Sequence, residues 1–132
     1  MQIRVDLGGW EHECCGESYD LNDVVTWELF LPVVGELADG ADYMESHHGQ
    51  LSGGVEVTGR VVAVEVASRP ATFVSVSRLP SGRALRGFDE HDDGIPMVLA
   101  TGDPLEGHPD EFVVTLEIAP KSELPAEAAV AI

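Results

Sequence analysis

Alternation of apolar and polar residues constrains the fold of this chain more than any other feature of its sequence. Two stretches show it clearly, and their apolar positions are Val25, Trp27, Leu29 and Leu31 in the first and Phe112, Val114, Leu116 and Ile118 in the second. A period of two is that of a β-strand with one face buried. A third stretch, residues 55–67, changes phase near Gly59. This change predicts a bulge that bends the strand, as the corner of a small barrel requires.

One segment has the periodicity of a helix instead. After Pro32, apolar positions recur at intervals of three and four residues, at Val34, Leu37, Ala41 and Met44, and His48 continues the same face. The sequence therefore predicts a mainly β fold, a small antiparallel barrel of SH3-like or OB-like type, with one helix near residues 33–48. We expect a single domain over residues 1–119 and a mobile C-terminal tail over residues 120–132.

The net charge of the chain limits the classes of molecule that can bind to it. The chain of 132 residues holds 24 acidic and 7 basic residues, a net charge of −17. Such a surface repels the phosphates of nucleic acids and anionic lipids, and it favours cations and basic protein partners. No signal peptide and no apolar run of about 20 residues is visible, so we expect a cytoplasmic protein with reduced cysteines.

Two short segments hold most of the residues that could perform chemistry. Residues 11–16, here called the Cys-Cys segment, contain both cysteines of the chain beside a histidine, and residues 45–49, the His-His segment, contain two adjacent histidines. Thiolate and imidazole groups are the usual ligands of structural zinc. The candidate zinc ligands are Cys14, Cys15, His48, His12 and His47.

The spacing of these ligands differs from that of a zinc finger. Fingers use two cysteines separated by two residues, whereas adjacent cysteines in a strand point to opposite faces. A zinc site therefore requires that the Cys-Cys segment form a turn, which Gly16 permits. The alternative is a buried cysteine packed as a small apolar residue and a core histidine held by a hydrogen bond.

The same residue types also suggest a thiol enzyme. Cys15 would be the nucleophile and His48 the base, with Glu13 or Glu45 orienting the ring. The acidic surroundings oppose this hypothesis, because neighbouring carboxylates raise the pKa of a thiol. No lysine or arginine lies close to either segment in the sequence to offset them.

An acidic loop at residues 89–94 has the carboxylate spacing of a calcium loop at its start. The twelfth position is Ala100, where a calcium loop needs a bidentate glutamate, so the pattern favours a solvated acidic loop. Arg78, Arg83 and Arg86 lie nearby and are expected to pair with its carboxylates.

The order of motifs in the first half of the chain resembles that in a family of small actinobacterial proteins. The shared pattern is a tryptophan, Cys-Cys-Gly, an aromatic residue, a Val-x-Trp strand and His-His-Gly, here between Trp10 and Gly59. The resemblance carries no known activity. It implies that the Cys-Cys and His-His segments meet in space.

These observations predict a non-enzymatic binding or accessory module with a structural or zinc site formed by cysteine and histidine. Its partner would be a protein, one with a basic surface, and neither a nucleic acid nor a membrane. Two alternatives stay open. One is the thiol enzyme with Cys15 and His48, and the other is an acidic decoy that occupies the basic surface of a nucleic-acid-binding protein.

Overall fold

A computed structural model describes residues 1–32, 40–47, 51–68 and 72–131. The strands in chain order are β1 (Gln2–Asp6), β2 (Tyr19–Asp20), β3 (Val24–Phe30), β4 (Tyr43–Glu45), β5 (Leu51–Ser52), β6 (Val55–Ala67), β7 (Val74–Val76), β8 (Arg78–Leu79), β9 (Glu111–Glu117) and β10 (Val130–Ala131). Two short helices, α1 (Gly9–Cys15) and α2 (Gly82–Leu85), lie between them.

Five strands form a closed barrel, which confirms the predicted mainly β fold. Their order is β3-β4-β1-β9-β6, and pairing between β3 and β6 closes the ring, while β7 extends the sheet beyond β6. The pairs are antiparallel except β1 with β4, which is parallel. Inward-facing side chains from these strands make one core, whose fully buried members include Val5, Leu29, Val61, Val64, Phe112, Val114 and Leu116.

The predicted phase change in β6 is real, but it lies further along the strand than Gly59. Val57 and Val61 are buried at odd positions, and Val64 and Val66 are buried at even positions. The pairing of β6 with β9 shifts register between Val61 and Ala63, so the irregularity falls at the residue between them. An extra residue of this kind switches the core-facing side chains from odd to even positions, and it bends the strand.

The helix predicted near residues 33–48 is wrong for the part of it that the structure describes. Tyr43–Glu45 form β4, which pairs with β3 on one side and β1 on the other. Gly40 has a φ of 78°, which a helix does not accommodate. Backbone pairing with two strands overrides the helical spacing of a few apolar residues. Residues 33–39 and His48 lie outside the described residues.

The two observed helices lie outside the one segment that has helical periodicity in the sequence. Both are short, and each depends on its surroundings more than on its own sequence. Helix α2 begins at Ser81, whose side chain accepts a hydrogen bond from the amide of Ala84.

The C-terminal segment, for which we predicted mobility, contacts the rest of the fold in its described part. Ala129 is buried, and its amide donates to the carbonyl of Leu31 at 2.7 Å. Strand β10 then pairs with β5. Leu124 packs against the core. Leu124, Ala129 and β10 therefore contact the rest of the fold, and the mobility of the tail stays a prediction.

None of the helices in the described ranges is long and apolar enough to cross a membrane.

Core packing gives a first prediction. Phe112 is fully buried in β9, and its truncation in Phe112→Ala leaves a cavity that should lower the free energy of unfolding by about 3–5 kcal/mol. The control is Phe88→Ala, since Phe88 is 65% exposed and its loss should cost less than about 1 kcal/mol. Urea unfolding measures both values. Equal costs for the two variants would contradict the core assignment.

Candidate functional site

A cleft of about 730 Å³ opens beside the N-terminal half of β3. We call it the seam cleft, because it lies where β4 joins β3 to β1 over only a few residues. Its lining comes mainly from three parts of the chain, which are the end of α1 with residues 15–19, residues 24–28 of β3, and residues 45–47. The described lining residues are Leu7, His12, Cys15, Gly16, Glu17, Ser18, Tyr19, Asp23, Val24, Val25, Thr26, Trp27, Glu28, Glu45, Ser46 and His47.

Helix α1 is held against the barrel by close backbone contacts at glycines. A Cβ on Gly9 would overlap the carbonyl oxygen of Asp110, and one on Gly82 would overlap that of His12. The amide of Gly82 donates to the carbonyl of Gly16 at 3.0 Å. These contacts tie α1 to α2 and to the segment before β9, and they fix one wall of the cleft.

His12 is a buried, hydrogen-bonded core residue. It is 2% exposed, its Nε2 lies 2.7 Å from the carbonyl oxygen of Pro80, and its ring packs 4.9 Å from that of Phe112. Since a carbonyl only accepts, Nε2 carries the hydrogen. Burial lowers the pKa of His12, against the opposing effects of the Pro80 hydrogen bond and of Glu13. The ring is therefore neutral, and Nδ1 faces Gly16, where a Cβ would overlap it.

The adjacent cysteines are exposed at the end of α1, and their sulfur atoms are in contact. The reduced state that we expect for this pair stays a prediction. A positively charged side chain also lies closer to the two cysteines than the order of the sequence indicates. Arg86, from the turn after α2, donates to the carbonyl of Cys14 at 3.3 Å.

The Cys-Cys and His-His segments meet, as the resemblance implied. The hydroxyl of Ser46 donates to a carboxylate oxygen of Glu11 at 2.8 Å. His47 pairs with Glu45 at 3.2 Å, and both His47 and Cys15 line the seam cleft. The two segments together therefore close one end of the cleft.

The predicted zinc ligands do not converge within the described part of the chain. No group of three or more histidine, cysteine, aspartate or glutamate side chains there has a geometry for holding a metal ion. His12 already uses Nε2 on the carbonyl oxygen of Pro80. Since His48 is not among the described residues, the zinc site and the Cys15–His48 pair stay predictions.

Two aromatic residues that the sequence analysis did not assign to a site form the floor of the cleft. The rings of Tyr19 and Trp27 meet edge to face at 5.1 Å, and the indole N–H donates to the Tyr19 hydroxyl at 3.3 Å. Burial raises the pKa of Tyr19, against the lowering effect of the Trp27 hydrogen bond. The phenol therefore stays protonated at neutral pH and can donate a hydrogen bond. Pairing of Tyr19 with Leu79 between β2 and β8 positions it.

Carboxylates dominate the polar lining. Glu17, Asp23, Glu28 and Glu45 all face the cleft, and its described lining contains no lysine or arginine. They come from three separate parts of the chain, so their convergence is not visible as a motif. The seam cleft is thus an acidic site with an aromatic floor.

The acidic loop at residues 89–94 lies outside the described lining of the seam cleft, and an arginine binds one of its carboxylates. Arg78 donates two hydrogen bonds of 2.8 Å to the carboxylate of Asp92, as the sequence led us to expect for an arginine of this region. This contact, and next the amide of Gly94, lower the pKa of Asp92. The carboxylate of Asp92 is therefore committed to the guanidinium of Arg78.

Comparison with protein families matches residues 1–94 to DUF6578, a family of unknown function. The chain belongs to this family. The range matched to DUF6578 includes both segments and every described lining residue of the seam cleft, and it ends before β9. No curated protein and no solved structure matches the chain. An actinobacterial origin stays a prediction.

The contact between Gly16 and His12 gives a second prediction. Gly16 has φ −67° and ψ 145°, which alanine also adopts, so Gly16→Ala adds only the overlap with the His12 ring. We expect a loss of about 1–3 kcal/mol in the free energy of unfolding. In a His12→Ala background the same substitution should cost much less. A double-mutant cycle by urea unfolding measures the coupling, and equal costs in both backgrounds would refute the contact.

The lowered pKa of His12 gives a third prediction. On acidification through pH 6.5 the unfolded chain binds a proton at this residue and the folded chain does not, so the stability falls as pH falls. His12→Gln should reduce the difference in unfolding free energy between pH 7.5 and pH 5.5. The control is His91→Gln, at an exposed side chain, and it should behave as the wild type. An unchanged pH dependence in His12→Gln would contradict the assignment.

Proposed function

We propose that this protein is a non-enzymatic binding module whose seam cleft takes a cationic segment of a protein partner. One observation carries the proposal: four carboxylates and no lysine or arginine line the described part of a cleft with an aromatic floor. An ammonium or guanidinium group is attracted both by carboxylates and by the face of an aromatic ring. The net charge of −17 adds long-range attraction for the same class of partner.

The geometry of the lining supports binding in preference to catalysis. A general base must lie within hydrogen-bond reach of the group that it deprotonates. Of the described histidines in the lining, His12 uses Nε2 on Pro80 and His47 pairs with Glu45. The sulfur of Cys15 contacts that of its neighbour Cys14, and neither of these two histidines is engaged with it.

In this proposal the Cys-Cys and His-His segments support the seam cleft as structural elements. The hydrogen bond between Ser46 and Glu11 joins them, and Arg86 holds the end of α1 through the carbonyl of Cys14. They fix the position of α1, which carries one side of the lining, relative to residues 45–47 and α2. Preorganisation of this kind lowers the entropic cost of binding.

The proposal differs from the acidic-decoy alternative in one testable respect. A decoy attracts a basic surface by its total charge, whereas a cleft recognises a cation at particular carboxylates. Glu17 and Glu28 are exposed residues of the cleft lining, the first after α1 and the second in β3. Glu106 and Glu127 are also exposed, and neither lines it. Neutralising either pair changes the net charge by the same amount.

The fourth prediction concerns binding of a basic peptide. The probe is a labelled, acetylated and amidated nine-residue peptide in which lysine alternates with valine or threonine, and fluorescence anisotropy follows the titration. Glu17→Gln with Glu28→Gln removes two ion pairs of up to about 1 kcal/mol each, so Kd should rise by up to about 30-fold. The matched control, Glu106→Gln with Glu127→Gln, should change Kd by less than about twofold at 150 mM salt.

Two outcomes would contradict the proposal. If the wild-type protein does not bind the peptide, the cleft has no affinity for cationic segments. If both double variants weaken binding equally, total charge is responsible and the decoy alternative is favoured.

A further inference from the structure

One edge of β3 faces the seam cleft. Residues 24–29 pair with β6, but β4 pairs with β3 only at Leu29 and Phe30. Along residues 24–28, which we call the seam edge, the second side of the strand has no strand partner among the residues that the structure describes. All five residues line the cleft instead.

The backbone of the seam edge offers hydrogen-bonding groups to the cleft. In an antiparallel pair, the N–H and C=O groups of every second residue point toward one neighbour, and those of the intervening residues point to the other side. Strand β6 takes the first set. The second set points toward the cleft, and no backbone hydrogen bond links it to other described residues. An open strand edge of this kind is a template for a further strand.

The two faces of the seam edge differ in a way that selects the sequence of an added strand. Outward-facing Val24, Thr26 and Glu28 are exposed, whereas inward-facing Val25 and Trp27 are buried. An added strand would place alternate side chains beside Glu28 and, on the other face, beside the Tyr19–Trp27 floor. Basic residues suit the first position, and apolar residues suit the second.

We propose that the ligand of the seam cleft is an extended segment of a protein partner, with alternating basic and apolar residues, that adds as a strand to the seam edge. Five residues of strand span about 17 Å, so a short linear segment is sufficient. Main-chain hydrogen bonds would supply affinity, and the cleft carboxylates would supply the preference for lysine or arginine. This inference rests on the proposed function and specifies how the cleft holds its cation.

Backbone esters in the peptide test this mode of binding. An ester oxygen replaces one N–H and removes a donor without adding bulk. Two analogues of the nine-residue peptide are needed, one with esters at two adjacent even positions and one with esters at two adjacent odd positions. In an added strand only one of these sets points toward β3. One analogue should therefore bind about tenfold more weakly than the other, since two hydrogen bonds are lost in it alone.

Hydrogen exchange gives a second, independent measurement. Binding of the unmodified peptide should slow amide exchange at alternate residues within 24–28. The control is strand β7, Val74–Val76, which lies outside the described cleft lining and should exchange at the same rate in both states. Slowed exchange confined to the seam edge, together with the difference between the ester analogues, would establish strand addition.

The outcomes separate this inference from the proposed function. If the two analogues bind equally and exchange within residues 24–28 is unchanged, strand addition is wrong. The proposed function survives that result when Glu17→Gln with Glu28→Gln still weakens the parent peptide. If the parent peptide does not bind at all, both proposals fail.

Discussion

The hydrogen bond from buried His12 to the carbonyl of Pro80 is the contact that holds the α1 side of the seam cleft in place. It satisfies a polar group that would otherwise be costly to bury, and it connects α1 to the chain just before α2. Gly16 and Gly82 allow the backbones to approach at this point, because a Cβ at either position would overlap the His12 residue. A helix, and not a strand, therefore flanks the place where β1 and β3 separate.

The cleft follows from this arrangement. A barrel closes without gaps when each strand pairs along its length with two neighbours. Here β4 is too short to do so, and the space beside β3 is bounded by α1 and the chain after it. The carboxylates in its lining make the seam cleft acidic.

Several features were predictable because they depend on local patterns. The alternation in β3 and β9 and the phase change in β6 correctly indicated a bent β-barrel. The pairing of the Cys-Cys and His-His segments was also foreseen, through a shared order of motifs. In contrast, Tyr43–Glu45 were assigned to a helix, since a three-residue strand is defined by its two partners and not by its own spacing.

The roles of individual side chains were harder to predict from the sequence than the class of fold. A histidine beside two cysteines suggests a ligand, yet the environment of His12, set by Pro80 and Phe112, makes it a neutral core residue. The amino-acid sequence is sufficient for the class of fold and the sign of the charge, because periodicity and composition are properties of the chain. The acidic, aromatic cleft depends on the folded state, because Glu17, Glu28 and Glu45 converge only after distant segments have packed together.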